Sequence, residues 1–122
     1  MNLTVNKTDN SINLLCLNVC GIKNRLLYPE FKSLLCNHDI ICLTETKLDD
    51  CDVINCDEFV FSFKNRHKLS NYRSGGIALG YRKYLEKYIK PIETECKFVY
   101  WFTIDKKVLN LSENVFIGIV YI

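Results

Sequence analysis

Residues 39–48 read Asp39-Ile40-Ile41-Cys42-Leu43-Thr44-Glu45-Thr46-Lys47-Leu48. Ile40 to Leu43 is a continuous apolar run of strand length, and the chain turns abruptly polar at Thr44-Glu45-Thr46-Lys47. An apolar run without alternation predicts a strand covered on both faces, as parallel strands usually are. Ile12 to Val19 is a second such run, broken by Asn18 and closed by Gly21. Between the two, Pro29 suits a first helical turn, Phe31, Leu34 and Leu35 fall on one face at helical spacing, and Asn37 supplies a stop. Strand, short amphipathic helix, strand predicts a parallel pair. In such sheets ligands gather outside the carboxyl ends of the strands, where Asn18 and Glu45 both fall.

Further along, Phe59, Phe61 and Phe63 alternate with Val60, Ser62 and Lys64, a period of two that predicts a strand with one preferred core face. Lys64 to Ser74 reads as a polar loop, and Ser74-Gly75-Gly76 punctuates it. Ile77 to Tyr81 resumes strand character with large and small side chains alternating, so a hairpin-like return is expected. Phe98 to Ile104 and Val115 to Ile122 predict two more strands, joined through the polar connection Asp105 to Asn114. The stretch Val120-Tyr121-Ile122 sits in a β-forming run without turn or polar cap, as expected of an interrupted domain. The expected organisation is a polar tail over residues 1–11 and one partial domain over 12–122, with no internal repeat.

The 122 residues suffice for one domain with a real core. With 48% hydrophobic and 25% charged residues the chain lies far from the composition of disordered chains. The net charge of +2 comes from interspersed charges of both signs, so charge alone neither supports nor excludes DNA as a partner. Seven cysteines without an apolar leader in Met1 to Asn10 predict free thiols in an intracellular, reducing compartment, nucleus or cytoplasm. Cys16-x3-Cys20 and Cys51-x4-Cys56 lack matching second pairs, which argues against structural zinc. Cys16 and Cys42 lie in apolar runs and read as small hydrophobes. No apolar stretch reaches the roughly 18 residues of a membrane helix.

Taken in order, Leu15-Cys16-Leu17-Asn18-Val19-Cys20-Gly21, then Asp39 to Leu48, then Ser74-Gly75-Gly76-Ile77-Ala78-Leu79 resemble the opening of the endonuclease/exonuclease/phosphatase superfamily. The Glu45-Thr46-Lys47-Leu48 form and the glycine pair leading into a strand and Tyr81-Arg82-Lys83 look most like the apurinic-type endonuclease domain of non-LTR retrotransposon reverse transcriptase polyproteins. The resemblance runs from about Ile12 to Ile122 and covers roughly the first half of that domain. Each motif alone is weak, and their order on strand ends is what makes the signal specific.

The resemblance implies an α/β fold, the N-terminal half of a four-layer, DNase I-like α/β sandwich, here a mixed sheet of about six strands with one or two helices. It also implies a magnesium-dependent DNA endonuclease, a hydrolase that nicks target DNA. Glu45 matches the metal-binding glutamate and Asn18 the asparagine that helps order metal and phosphate. Lys47 would help neutralise charge on the phosphate, and Tyr121 matches a phosphate-contacting tyrosine. Magnesium takes few carboxylates and keeps several waters, so one well-placed glutamate is chemically sensible.

Departures accompany the match. Cys20 stands where some relatives carry an acidic residue and others arginine, and Leu17 replaces a tryptophan. The later Asp-x-Asn pair and the C-terminal Asp and His have no counterpart, and His38 and His67 come too early. Magnesium binding is therefore expected to be weak or absent in the chain alone, catalysis to need the missing C-terminal half, and non-specific self-association to follow from exposed sheet surface.

Simpler readings stand beside these. Asn18 could be only a turn former, Glu45 a solvated carboxylate and Lys47 a surface lysine. The glycine pair reads as a turn, and Trp101 on its strand reads as packing. Lys64, Arg66, His67, Lys68 and Arg73, with Tyr72 among them, form a basic loop that is either solvated or a DNA contact. Competing functions are a non-catalytic remnant that at most binds nucleic acid through Arg66, Lys68 and Arg73, and a phosphoesterase of the same superfamily acting on a phosphoinositide or another phosphomonoester.

Overall fold

A computed structural model describes residues 11–49, 51–65 and 75–121. Arg66, His67, Lys68, Tyr72 and Arg73 lie outside the described residues, and of the basic loop only Lys64 is described, its Nζ donating to Thr94 O (2.8 Å). Strand β1 (Leu14–Asn18) pairs in parallel with β2 (Ile40–Thr44), Leu14 opposite Ile40 and Asn18 opposite Thr44. The crossover carries a single helical turn, α1 (Ile22–Arg25), and then α2 (Pro29–Cys36). Helix α2 starts on Pro29, whose missing N–H costs nothing in a first turn, and ends at Asn37, whose N–H reaches back to the carbonyl of Leu34 while that of His38 reaches Leu35.

Strands β3 (Phe59–Lys64) and β4 (Ile77–Arg82) form an antiparallel pair, and β4 also pairs antiparallel with β2, giving the order β1-β2-β4-β3. Gly80 is small for a packing reason: a Cβ there would come within 2.5 Å of the Phe61 ring across the strand pair. After a short 3-10 turn (Lys83–Leu85), β5 (Ile89–Ile92), β6 (Val99–Ile104) and β7 (Val115–Val120) form a second, antiparallel sheet in that order. A further single turn, α3 (Lys106–Leu109), begins at Asp105, whose carboxylate accepts from Lys107 N, and ends on left-handed Asn110.

Two cores lie on the two faces of the first sheet. Ile41, Leu43, Phe59 and Ala78 pack with Val19, Ile22 and Leu35 on the helical side. Ile40, Cys42, Ile77, Leu79 and Tyr81 pack with Leu85, Ile89, Tyr100, Phe102, Ile104 and Ile119, joining the first sheet to the second. Every residue of β2 and β4 is buried, which accounts for the unalternating sequence of Ile40 to Leu43. Each buried aliphatic side chain contributes about 1.5–3 kcal/mol, so β2 and β4 form the spine that holds the site in place.

Three expectations are corrected. Among the described residues, seven strands in two sheets replace a mixed sheet of about six. The extra strand is β5, concealed by Lys90 and Pro91, residues that an edge position tolerates. Cys16, expected to act as a small hydrophobe, is exposed, because β1 is an edge strand and the second sheet's core does not extend over it. The polar connection after β6 also holds the turn α3, made local by its Asp105 cap. No helix among the described residues is long and apolar enough to cross a membrane.

The outward face of the second sheet is apolar. In β6 and β7, Tyr100, Phe102 and Ile104 and their register partners Ile119, Ile117 and Val115 face inward, leaving Val99, Trp101 and Thr103 opposite Val120, Gly118 and Phe116 on the other side. Trp101, Phe116 and Val120 are 39%, 64% and 57% exposed. The Trp101 ring lies across Gly118, where a Cβ would come within 3.1 Å of it.

Candidate active site

Three loops meet at the carboxyl ends of β1 and β2. The strand ladder continues past β1 through Val19 N to Thr44 O (3.0 Å), Gly21 N to Glu45 O (2.9 Å) and Ile22 N to Thr46 O (3.1 Å). On the other side, Glu45 N donates to Gly76 O (2.8 Å) and Lys47 N to Gly75 O (2.9 Å). The Glu45-Thr46-Lys47 segment is thus bound along both edges by backbone bonds, the arrangement that fixes a side chain's position most tightly.

The local backbone is unusual. Glu45 and Lys47 both take positive φ (58° and 57°), as do Cys20 (47°), Gly21 (97°), Gly75 (67°) and Gly76 (96°). Left-handed conformations at non-glycine residues cost roughly 1–3 kcal/mol each and cluster at functional sites. Here they flank Thr46, which is fully buried, while Glu45 and Lys47 reach the surface.

Asn18 ends β1 and is exposed; its Oδ1 accepts from Cys20 N (3.1 Å), an Asx-type turn that bends the chain into Gly21. Arg25 Nε donates to Val19 O (3.0 Å), anchoring the same loop from α1. Lys47 Nζ lies 3.6 Å from Glu45 Oε1 and donates to Cys20 Sγ (3.5 Å). The lysine's pKa is raised, first by the hydrogen bond to Cys20 and the charge of its thiolate, and to a lesser extent by Glu45, against an opposing desolvation.

Asn18, Glu45 and Lys47 therefore stand on adjoining loops, and Cys20 joins them. Tyr121 follows β7, packs at the margin of the inter-sheet core and donates its N–H to Phe98 O (2.9 Å). Among the described residues no hydrogen bond joins Tyr121 to Asn18, Glu45 or Lys47. Neither the Cys20–Lys47 contact nor the bracing by Gly75 and Gly76 is visible in the sequence, since both depend on loops distant in the chain; the positive φ at Glu45 and Lys47 has no residue-type signal at all.

The donor set suits a hard cation only sparingly. Glu45 supplies a carboxylate and Asn18 an amide oxygen, enough for magnesium that keeps most of its waters. Among the described residues no three His, Cys, Asp or Glu side chains gather into a metal cage. The Lys47 ammonium already lies beside the Glu45 carboxylate, where it competes with an incoming cation. No family model matches this chain, and no curated protein matches it in sequence.

Proposed function

We propose that this chain is the N-terminal part of a magnesium-dependent phosphodiesterase domain of the endonuclease/exonuclease/phosphatase type, from a DNA endonuclease like those of non-LTR retrotransposons. The observation that carries the reading is the convergence of Asn18, Glu45 and Lys47 at the carboxyl ends of a parallel strand pair, on loops braced by Gly75 and Gly76. In that reading Glu45, with Asn18, holds the cation, and Lys47 neutralises charge on a phosphate oxygen.

The layer order of helices, sheet and sheet, with an apolar outward face on the second sheet, supports half of a four-layer sandwich. A further helical layer, supplied by the missing half, would cover Trp101, Phe116 and Val120. Acid–base groups from that half would activate the attacking water, a contribution of about 10²–10⁴-fold. The chain alone is a metal-binding half and not a working nuclease.

The test is paramagnetic broadening of amide resonances by Mn²⁺ as a magnesium surrogate. The reading expects broadening centred on residues 18–21 and 44–47, abolished by Glu45→Gln. Broadening spread over the surface carboxylates and indifferent to Glu45→Gln would overturn it.

A further inference from the structure

Cys16 and Cys42 are register partners in the adjacent parallel strands β1 and β2, so their side chains leave the sheet on the same face. Partners of this kind stand about 4.8 Å apart at Cα, inside the 4.4–6.8 Å range that disulfides span. The two thiols differ sharply in surroundings: Cys16 is exposed, Cys42 is 2% exposed in the inter-sheet core. Burial, and then the neighbouring Cys16, push the Cys42 thiol up to about 12, so it stays protonated and inert until a partner beside it is activated.

We propose that Cys16 and Cys42 form an oxidisable dithiol that peroxide converts to a cross-strand disulfide. The exposed Cys16 thiolate attacks hydrogen peroxide, cleaving the O–O bond, and becomes the sulfenic acid while hydroxide leaves. The Cys42 sulfur then attacks the Cys16 sulfur, its proton passes to the departing oxygen, and water leaves. In sum two thiols and one peroxide give one disulfide and two waters, the thiols being oxidised and the peroxide reduced. Closing the bond requires the two Cβ atoms to approach to about 3.8 Å. Strand β1 can make the necessary shift of about 1 Å because it is an edge strand, paired with β2 alone among the described residues.

The bridge would tie together the two strands that end in Asn18 and Thr44, immediately before Glu45, and fix their register covalently. This inference does not rest on the proposed nuclease reading. Among the exposed thiols, Cys20, Cys51 and Cys96 sit on loops, and none lies opposite a cysteine in a strand ladder.

The experiment treats the reduced, folded full chain with hydrogen peroxide, blocks remaining thiols with iodoacetamide, and maps linked peptides by mass spectrometry. Fragmentation must assign the sulfurs, because Cys20 shares the tryptic peptide of Cys16 and Cys36 that of Cys42. The expected product is a Cys16–Cys42 link lighter by two hydrogens, absent in Cys16→Ser. In Cys42→Ser, Cys16 should accumulate as a sulfenic acid that dimedone traps. Since Cys42→Ser places a hydroxyl in the core, Cys16→Ser, at an exposed position, serves as the variant that keeps the fold. Oxidation of wild-type Cys16 to sulfinic acid without a link, or linkage of Cys16 to Cys20, Cys51 or Cys96 as often as to Cys42, would overturn the proposal.

Discussion

The hydroxyl of Thr46 faces Gly76 so closely that no side chain fits between them: a Cβ on Gly76 would overlap Oγ1 and lie 3.6 Å from Lys47 N. Gly76 also holds φ at 96°, a conformation that an alanine adopts only under strain. Gly76→Ala is therefore expected to destabilise the fold by roughly 2–4 kcal/mol, combining backbone strain with overpacking. A double-mutant cycle in urea separates the two. Thr46→Ala should recover the overlap component and Thr46→Ser, which keeps Oγ1, should not. Recovery by neither would mean that the strain lies in φ alone.

Lys47 has two polar neighbours, the Cys20 sulfur and the Glu45 carboxylate, and Cys20 outweighs Glu45 in raising its pKa. Replacing Cys20 by alanine should bring the lysine back toward its ordinary 10.5 further than Glu45→Gln does. Titration of the Lys47 Cε resonance measures both. A larger fall in Glu45→Gln would show that the carboxylate, not the thiol, is the lysine's main partner.

Alkaline pH should weaken the fold through Cys42. Its native pKa is raised from 9.0 to about 12, so the unfolded chain releases this proton first. The stabilisation is complete below about 9 and is lost as pH climbs toward about 12. Tyr84 acts in the same sense at still higher pH, its phenol raised by burial and by donating to Asp39 Oδ1 (2.7 Å). Urea midpoints should fall through this window, and fall less steeply in Cys42→Val, which keeps the apolar volume without a titrating group. An unchanged slope in that variant would assign the loss to the tyrosines.

Much of this architecture is written locally in the chain. The unalternating run of Ile40 to Leu43 predicts a strand buried on both faces, and β2 is buried at every residue. Pro29 and Asn37 bound α2 as their backbone preferences dictate. The hairpin return into Ile77 is likewise present. Legibility ends where partners are distant. Asp39, a plain acidic residue by sequence, is buried, with Oδ2 accepting from Asn13 N (2.8 Å) and its carbonyl from Arg82 N (3.0 Å). Arg82 is buried too, donating to the carbonyls of Cys36 and His38 and stacking on Phe59 at 4.7 Å. These contacts fasten the end of the sheet opposite the site, and only the folded topology creates them. At the site itself, Asn18 and Glu45 are legible as strand-end polar residues, whereas the role of Cys20 is not.

Catalysis by the chain alone is expected to stay at background. Supercoiled plasmid incubated with the chain and Mg²⁺ should be nicked no faster than with Glu45→Ala, because one carboxylate, an amide and a lysine do not activate an attacking water. Nicking that EDTA stops and Glu45→Ala abolishes would show that this half suffices for chemistry.

Self-association should instead be pronounced and localised. Strand β7, Val115-Phe116-Ile117-Gly118-Ile119-Val120, carries no charge and no proline, and among the described residues it pairs with β6 alone. The opposite edge, β5, is guarded by Lys90 and Pro91, residues that discourage a further strand. Phe116 and Val120 expose their side chains on the outward face, so Phe116→Lys with Val120→Lys would both charge that face and guard the edge. Sedimentation equilibrium should show the pair of substitutions shifting the chain toward monomer, with stability changed by no more than about 0.5 kcal/mol per site. Ile119→Ala, on the inward face of the same strand, should cost about 2–5 kcal/mol and leave association no weaker. Association that survives both lysines would move the contact to another sheet edge, such as β1, whose Leu14 and Cys16 are exposed.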